Sequence, residues 1–300
     1  MERFTPGIEG EVWYEHWHRY HFVAGLAGGK RVLDIACGEG YGSALLAARA
    51  AHVVGMDVDA GAVIAARRRY GSIPNLEFRE GRCESIPLDD ASVDVMISLE
   101  TLEHTASPEK LIAEAARLVK RDGVFVVSTP NKEVYSDRRN YRNPHHVKEF
   151  YRDEFDAVLR KHFTAFEIYG QRVDAYSAIW PMQGAAGEAQ LLDARNREAE
   201  RPLAGIADPM YFLAACSHDP RALESHRARF SLLSDRDHYV LDDYVAVQRR
   251  MAELQTQLER TEAAYLTSQK QVAALSAELG RRGAPATPEP PNASAQWRRR

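Results

Sequence analysis

Val32-Leu33-Asp34-Ile35-Ala36-Cys37-Gly38-Glu39-Gly40-Tyr41-Gly42 decides how this chain folds. A short apolar run holding one acid gives way to glycines at alternate positions, and Ser43-Ala44-Leu45-Leu46-Ala47-Ala48-Arg49 then reads as a helix start. Strand, glycine turn and helix in that order present backbone N–H groups and a helix N-terminus to a ligand, as α/β domains do. Glycines at 38, 40 and 42 permit positive φ and a close approach of ligand to backbone. A dinucleotide fingerprint wants a third glycine where this chain has Ser43. Asp34, at the carboxyl end of the strand, repels a pyrophosphate and attracts a ligand carrying an ammonium or sulfonium charge.

The flanking sequence repeats the alternation of strand and helix. Ala51 to Asp57 is a second apolar strand ending in an acid, ~20 residues after the turn, where an α/β nucleotide site places the carboxylate that accepts from ribose hydroxyls. Asp59 caps the next helix, Ala60 to Arg69. Asn75 to Arg79 and Val93 to Ser98 read as the third and fourth strands, the latter apolar enough for a parallel sheet buried on both faces. Ser107-Pro108-Glu109 opens a helix whose apolar stripe runs through Leu111, Ile112, Ala115, Leu118 and Val119 and stops at Asp122-Gly123. Val124 to Ser128 is the fifth strand, a polar loop follows, and Asn143-Pro144-His145-His146 opens a helix through Arg160. Phe166 to Tyr169 and Met210 to Cys216 supply the sixth and seventh strands.

The strand-turn-acid arrangement resembles motif I of the class I S-adenosylmethionine-dependent methyltransferases, of the type 11 and 12 kind. The resemblance implies an α/β, Rossmann-like, doubly wound, seven-stranded and mostly parallel sheet. It implies S-adenosyl-L-methionine as cofactor, with Asp34 reading its amino-acid portion directly or through water and Gly38 and Gly40 passing beneath it. Asp57 then binds the ribose, and Ala36, Val58 and Glu100 join the cofactor set. Related enzymes read adenine with an acid and a small residue after the third strand; here Arg82 replaces the acid, leaving a backbone contact at Arg82 and Cys83 or stacking of the guanidinium on adenine.

The segment Glu11 to Leu26 is rich in aromatic residues and histidines, with Tyr14, Trp17 and His21 on one helical face that packs on the sheet. In similar methyltransferases this leader covers the cofactor. His16, Arg19 and Tyr20 are then candidates for the methionine carboxylate, Arg19 first because a guanidinium pairs with carboxylate two-pronged.

His104, in Glu100-Thr101-Leu102-Glu103-His104, follows the fourth strand, where a methyl acceptor meets the cofactor. It serves as a general base or positions the next helix. The Ser128-Thr129-Pro130-Asn131-Lys132 loop and the His146-Val147-Lys148-Glu149-Phe150 segment match family members closely and imply an acceptor-side wall of Asn131, Tyr135, Asn143, His145 and His146. His146 either acts on the acceptor or caps the following helix. No strong metal motif is present, although Glu100, Glu103 and the histidines are candidates to assemble one.

Of the 300 residues, 45% are hydrophobic, as in folded globular chains, and the net charge of −4 argues against a general nucleic-acid surface. Three cysteines without close pairing suit a reducing, cytoplasmic compartment, and neither a signal peptide nor a membrane-spanning run is visible. Residues 1–30 are read as the cofactor-covering helix and 31–217 as the methyltransferase domain, with an insertion at 172–208 serving as a lid or acceptor-specific element. Residues 218–234 are read as a linker, 235–280 as a coiled coil and 281–300 as a disordered tail.

The coiled coil rests on Val240, Tyr244, Val247, Met251, Leu254, Leu258, Thr261, Tyr265, Ser268, Val272, Leu275 and Leu279, spaced alternately by four and three. Its partner is a second copy or another protein. The leader, loop and coiled coil together look like enzymes of bacterial surface-glycan synthesis, which implies O-methylation of a sugar or glycan-related small-molecule acceptor. A quinone or acyl-carrier C- or O-methyltransferase shares the core motifs, and a catalytically silent scaffold is the alternative outside enzymes.

Overall fold

The computed structural model describes residues 11–174, 192–195, 198–202, 208–226, 230–234 and 239–281, in two compact units, Met1–Arg236 and Asp237–Arg300. In the first unit α1 (Glu11–Ala24) precedes β1 (Arg31–Ile35), α2 (Tyr41–Ala47), β2 (His52–Asp57), α3 (Ala60–Tyr70), β3 (Leu76–Glu80) and β4 (Val93–Ser98). Then come α4 (Pro108–Leu118), β5 (Val119–Pro130), α5 (Arg152–Arg160), β6 (Ala165–Gln171), β7 (Leu192–Arg195), β8 (Glu198–Pro202) and β9 (Tyr211–Ser217). Seven strands form one sheet in the order β3-β2-β1-β4-β5-β9-β6. β1 to β5 are parallel, and β9 is antiparallel to both of its neighbours. The doubly wound, mostly parallel sheet expected from the motifs is the one this chain forms.

Register explains the apolar runs. Val32 stands between Val53 and Val95, and Leu33 between Val54 and Met96. Successive side chains on a strand face opposite ways. The valine row joins one core with Tyr20, Val23, Leu46 and Val63, while the Leu33 row joins a second with Leu111, Ile112 and Phe155. Both faces are therefore covered, and each fully buried aliphatic side chain stabilises the fold by about 1.5–3 kcal/mol.

Four local expectations are corrected. The helix expected to reach Asp122-Gly123 ends at Leu118, because Val119 is extended and pairs with Val93, so β5 starts five residues before Val124. The helix expected from Asn143 begins at Arg152 instead. Pro144 disfavours helical backbone at Asn143, and Phe150 is held extended by its bridge to Asn131 and by the Lys132 N–H donating to its carbonyl at 3.0 Å. On α1 the buried set is Tyr14, Glu15, Arg19, Tyr20, Val23 and Ala24, whereas Trp17 is half-buried and His21 exposed. The helix is turned this way because Tyr20 fills the space left by Gly42, whose added Cβ would stand 2.0 Å from the tyrosine ring. Lastly, the stretch read as a linker begins as a short 3-10 helix, Pro220–His226, with Leu223 packed in the first core.

Within 172–208, β7 and β8 form an antiparallel hairpin over most of the charged stretch. Trp180-Pro181-Met182, residues 1–10 and the 282–300 tail lie outside the described residues. In the second unit α6 (Tyr239–Arg281) is one continuous helix, and Tyr244, Met251, Leu254, Leu258, Tyr265, Val272, Leu275 and Leu279 of the heptad seam are exposed on it. Among the described residues no helix is long and apolar enough to cross a membrane.

Candidate active site

The turn after β1 carries the backbone conformations that bring a ligand close. Ala36 (φ 58°), Gly38 (φ 55°) and Gly40 (φ 81°) are all left-handed. For Ala36 that conformation costs about 1–2 kcal/mol, strain stored at the strand mouth. Gly40 is doubly constrained, since an added Cβ would lie 2.5 Å from the Phe78 ring. Gly42 differs: it sits inside α2 and admits Tyr20, so its role is helix packing and not the ligand approach expected for it. Asp57 ties the turn to β2, accepting from the Gly38 N–H at 2.8 Å and the Asp59 N–H at 2.9 Å. An ionised carboxylate has about four acceptor positions, so the two left over suit a pair of ribose hydroxyls. Asp59 caps α3 as expected, accepting from Gly61 and Ala62.

Asp34 is engaged by neighbouring side chains. It is fully buried, takes a 2.6 Å hydrogen bond from the Ser43 hydroxyl, and has the Tyr20 hydroxyl at 3.3 Å from both oxygens. Burial pushes its pKa up to about 7, against the pull of those hydroxyls and with a further push from Asp57. Tyr20 and Ser43 thus close over the carboxylate. A buried acid holding its proton up to about pH 7 weakens stability as pH climbs from its ordinary 3.8 through that value. A cationic ligand nearby favours the ionised form. We therefore expect the affinity for such a cationic ligand to rise about tenfold between about pH 6 and pH 8, with proton release on binding. Calorimetry in buffers of differing ionisation enthalpy checks this; Asp34→Asn should flatten the profile, and a flat wild-type profile would refute the linkage.

The second group is a buried charge cluster around Arg19, which is 2% exposed. Its Nε donates to the Gln171 side chain at 2.6 Å, its guanidinium lies 4.3 Å over the Tyr211 ring, and one terminal nitrogen is 3.8 Å from Glu100. Neither terminal nitrogen has a hydrogen-bond partner among the described residues. Burial works against its charge, but Glu100 and Glu15 outweigh it and hold the pKa above the ordinary value. Burial lifts Glu15 to about 7, with Arg19 pulling it back. His16 is pushed down to about 3 by burial and by Arg19, and it contacts the Tyr41 hydroxyl at 3.1 Å. Glu100 takes positive φ (50°) two residues after β4, and Ser128 accepts from its N–H while donating to its carboxylate at 2.6 Å.

A third group lies where the loops after β4 and β5 meet. Glu103 is buried, and its carbonyl accepts from the N–H groups of Val147 and Lys148, joining the loops after β4 and β5. This brings His104 and His146 together with ring centroids 4.9 Å apart. His104 Nδ1 donates to the His145 carbonyl at 3.0 Å, and His146 Nδ1 is 2.6 Å from Glu149. Neither histidine caps a helix. Tyr135 stacks on His146 at 5.4 Å and lies 5.9 Å from both Tyr141 and Tyr211. Asn131 and Asn143, expected to line the wall, are buried: Asn131 donates to the Pro209 carbonyl and Asn143 to the Tyr135 hydroxyl. His145 is exposed and contributes its backbone.

The remaining candidates are less gathered. The Arg82 side chain is 69% exposed and lies 3.6 Å from Glu84, an arrangement that leaves adenine stacking to a rotation away from that acid. Cys83 is half-buried against the second core, and Val58 is exposed directly after Asp57. Sequence reasoning missed Glu15, Glu149, Gln171 and Tyr211. Glu149 stands in the quoted His146 segment and was within reach, whereas Gln171 and Tyr211 meet Arg19 only through the sheet order.

Comparison with known proteins places this geometry. Residues 33–127 match a family described as "Methyltransferase domain". A Mycolicibacterium smegmatis protein named "Probable S-adenosylmethionine-dependent methyltransferase" is 37% identical over 170 residues, 56% of this chain and 64% of the relative. The ubiquinone biosynthesis O-methyltransferase of Maricaulis maris is 38% identical over 120 residues, 37% of this chain and 46% of the relative. The phthiotriol/phenolphthiotriol dimycocerosates methyltransferase of Mycobacterium tuberculosis is 30% identical over 125 residues, 40% of this chain and 46% of the relative. The chain thus matches 46–64% of these relatives' lengths.

Proposed function

This chain carries a class I S-adenosylmethionine-dependent methyltransferase domain, and from that premise we propose that it transfers a methyl group to a hydroxyl of a sugar or glycan-related acceptor. The observation that carries the reading is Arg19: a buried guanidinium whose two terminal nitrogens have no hydrogen-bond partner among the described residues suits the carboxylate of an amino-acid cofactor. The donor set around it fits the rest of that cofactor, with Asp57 for ribose hydroxyls and the backbone of Ala36 and Glu100 at the strand mouths. When bound, S-adenosylmethionine supplies an electrophilic methyl on a sulfonium centre.

The protein's task is to hold the acceptor in line and dry, which is worth several powers of ten in rate. Arg19, Asp57 and the left-handed turn orient one side. His104, His146 and Glu103 form the activating pole on the other, where a hydroxyl must lose its proton. Tyr141, exposed and with Tyr135 5.9 Å behind it, offers a ring of the kind that packs on the C–H face of a sugar. The insertion at 172–208 is the acceptor-specific element in this reading.

A quinone or lipid acceptor is the second reading, favoured by the names of the ubiquinone and phthiotriol relatives. A silent scaffold is the third, and the intact Arg19, Asp57 and turn speak against it. Incubating the full chain with methyl-labelled S-adenosylmethionine and separate panels of nucleotide sugars, glycans, quinol precursors and acyl carriers discriminates them. Label in the sugar panels supports the proposal; label only in quinols or lipids, or none with cofactor bound, overturns it.

The exposed heptad stripe of α6 is proposed to pair with a second copy or an assembly partner. Truncation after Ser234 should then lower the mass of the full chain's assembly in light scattering, and an unchanged mass would remove self-association.

A further inference from the structure

The loops after β4 and β5 bring together three side chains of a kind that hold metal. One ligand atom from each of Glu103, His104 and His146 lies within 4.8 Å of the others. We propose that these three residues bind a divalent first-row transition metal ion at the acceptor pole, with Glu149 and the His145 carbonyl as outer partners. No ion is needed to see why.

Metal-binding histidines characteristically donate their second ring N–H to a carbonyl or carboxylate, which fixes the tautomer and aims the other nitrogen. Both histidines here are held in that way. The carbonyl of His145 can only accept, so His104 Nδ1 carries the proton and Nε2 offers the lone pair. His146 Nδ1 faces Glu149 at 2.6 Å, which likewise leaves Nε2 outward. His104 Nε2 stands 3.9 Å from a Glu103 carboxylate oxygen, too far for a hydrogen bond. Two ligands each about 2.1 Å from one ion stand about 3–4.2 Å apart, so that gap is the spacing across a shared ion.

The chemistry of the donor set selects the ion. Two imidazoles and one carboxylate suit zinc, cobalt, manganese or ferrous iron, whereas magnesium prefers oxygen ligands throughout. The set leaves coordination positions open and the assembly with net charge +1. An ion held by Glu103, His104 and His146 would lower the pKa of an acceptor hydroxyl bound beside it; the hydroxyl oxygen forms the new C–O bond as the sulfonium's S–CH3 bond breaks, and its proton is released to bulk water. This deepens the O-methylation reading and rests on it for its purpose: the imidazoles act as ligands, and the ion makes the hydroxyl nucleophilic.

Cobalt(II) is the probe. Titration of the untagged, metal-free full chain should produce visible d–d absorption that saturates at one equivalent, displaced by zinc but not by a large excess of magnesium. His104→Gln and His146→Gln should each weaken cobalt binding by at least about tenfold, and Glu149→Gln by about 10–100-fold. S-adenosylmethionine calorimetry on each variant verifies the fold. Should a histidine variant unfold, the wild-type spectrum and Glu149→Gln still decide. Absence of saturable cobalt absorption, or binding unmoved by these substitutions, overturns the site. Because the titration contains neither cofactor nor acceptor, a failed methylation assay with an intact cobalt spectrum would defeat the O-methylation reading alone.

Discussion

Replacing His146 by alanine is expected to lower methyl transfer about 10²–10⁴-fold while S-adenosylmethionine affinity stays within about twofold. The asymmetry follows from position. In the proposed reading His146 belongs to the acceptor pole; it is fixed by Glu149 at 2.6 Å, packed on Tyr135 and set against His104. The turn, Arg19 and Asp57 belong to the cofactor pole, and no hydrogen bond from His146 to them is found among the described residues. A kcat loss with unchanged cofactor affinity identifies a group that activates the acceptor. Glu149→Gln should give a smaller loss, because it disturbs the orientation of the ring and leaves the ring in place. Equal loss of cofactor binding would mean that His146 merely supports the fold.

Arg19→Ala is expected to be the most destabilising single change at the site. The guanidinium is the cation buried among Glu15, Glu100 and Glu103. Removing the cation from a buried ionic network costs about 3–5 kcal/mol, because Glu100 loses its counter-charge and the contacts to Gln171 and Tyr211 go with it. For a domain of this size that lowers Tm by on the order of 10 °C. Arg19→Lys separates charge from shape: it keeps the cation but not the fork. The lysine variant should recover most of the stability yet bind S-adenosylmethionine about tenfold more weakly, because a two-pronged contact with carboxylate is gone. Thermal denaturation and calorimetry on both variants check this; full cofactor affinity in Arg19→Lys would remove the carboxylate role.

The central strands β1, β2, β4 and β9 were readable because they are buried on both faces and so write short apolar runs into the chain, whereas β3 and β6 are only partly buried and the charged β7 and β8 carry no such run. The strand ends were less readable. Val119 satisfies a helical stripe and a strand pairing equally well, and only the partner Val93 across the sheet decides between them. Asp34 and Asp57 look alike in sequence, an acid closing or near the close of a strand. The structure separates them: Tyr20 and Ser43 take up the first, while the second faces the turn. Arg19 was singled out by its chemistry, but the glutamine and tyrosine that hold it arrive from positions 171 and 211, which no local pattern links to α1. His104 and His146 are joined by the Glu103 carbonyl, a backbone contact without any side-chain signature.

The central claim is that the cleft at the mouths of β1, β2 and β4 accepts a cationic amino-acid nucleoside. Calorimetric titration of the full chain with S-adenosylmethionine tests it most directly. The account predicts one site with a Kd in roughly the micromolar range, weakened at least about tenfold by Asp57→Ala in a variant whose circular dichroism is unchanged. A folded protein that gives no heat, or that binds NADH in preference, would contradict it.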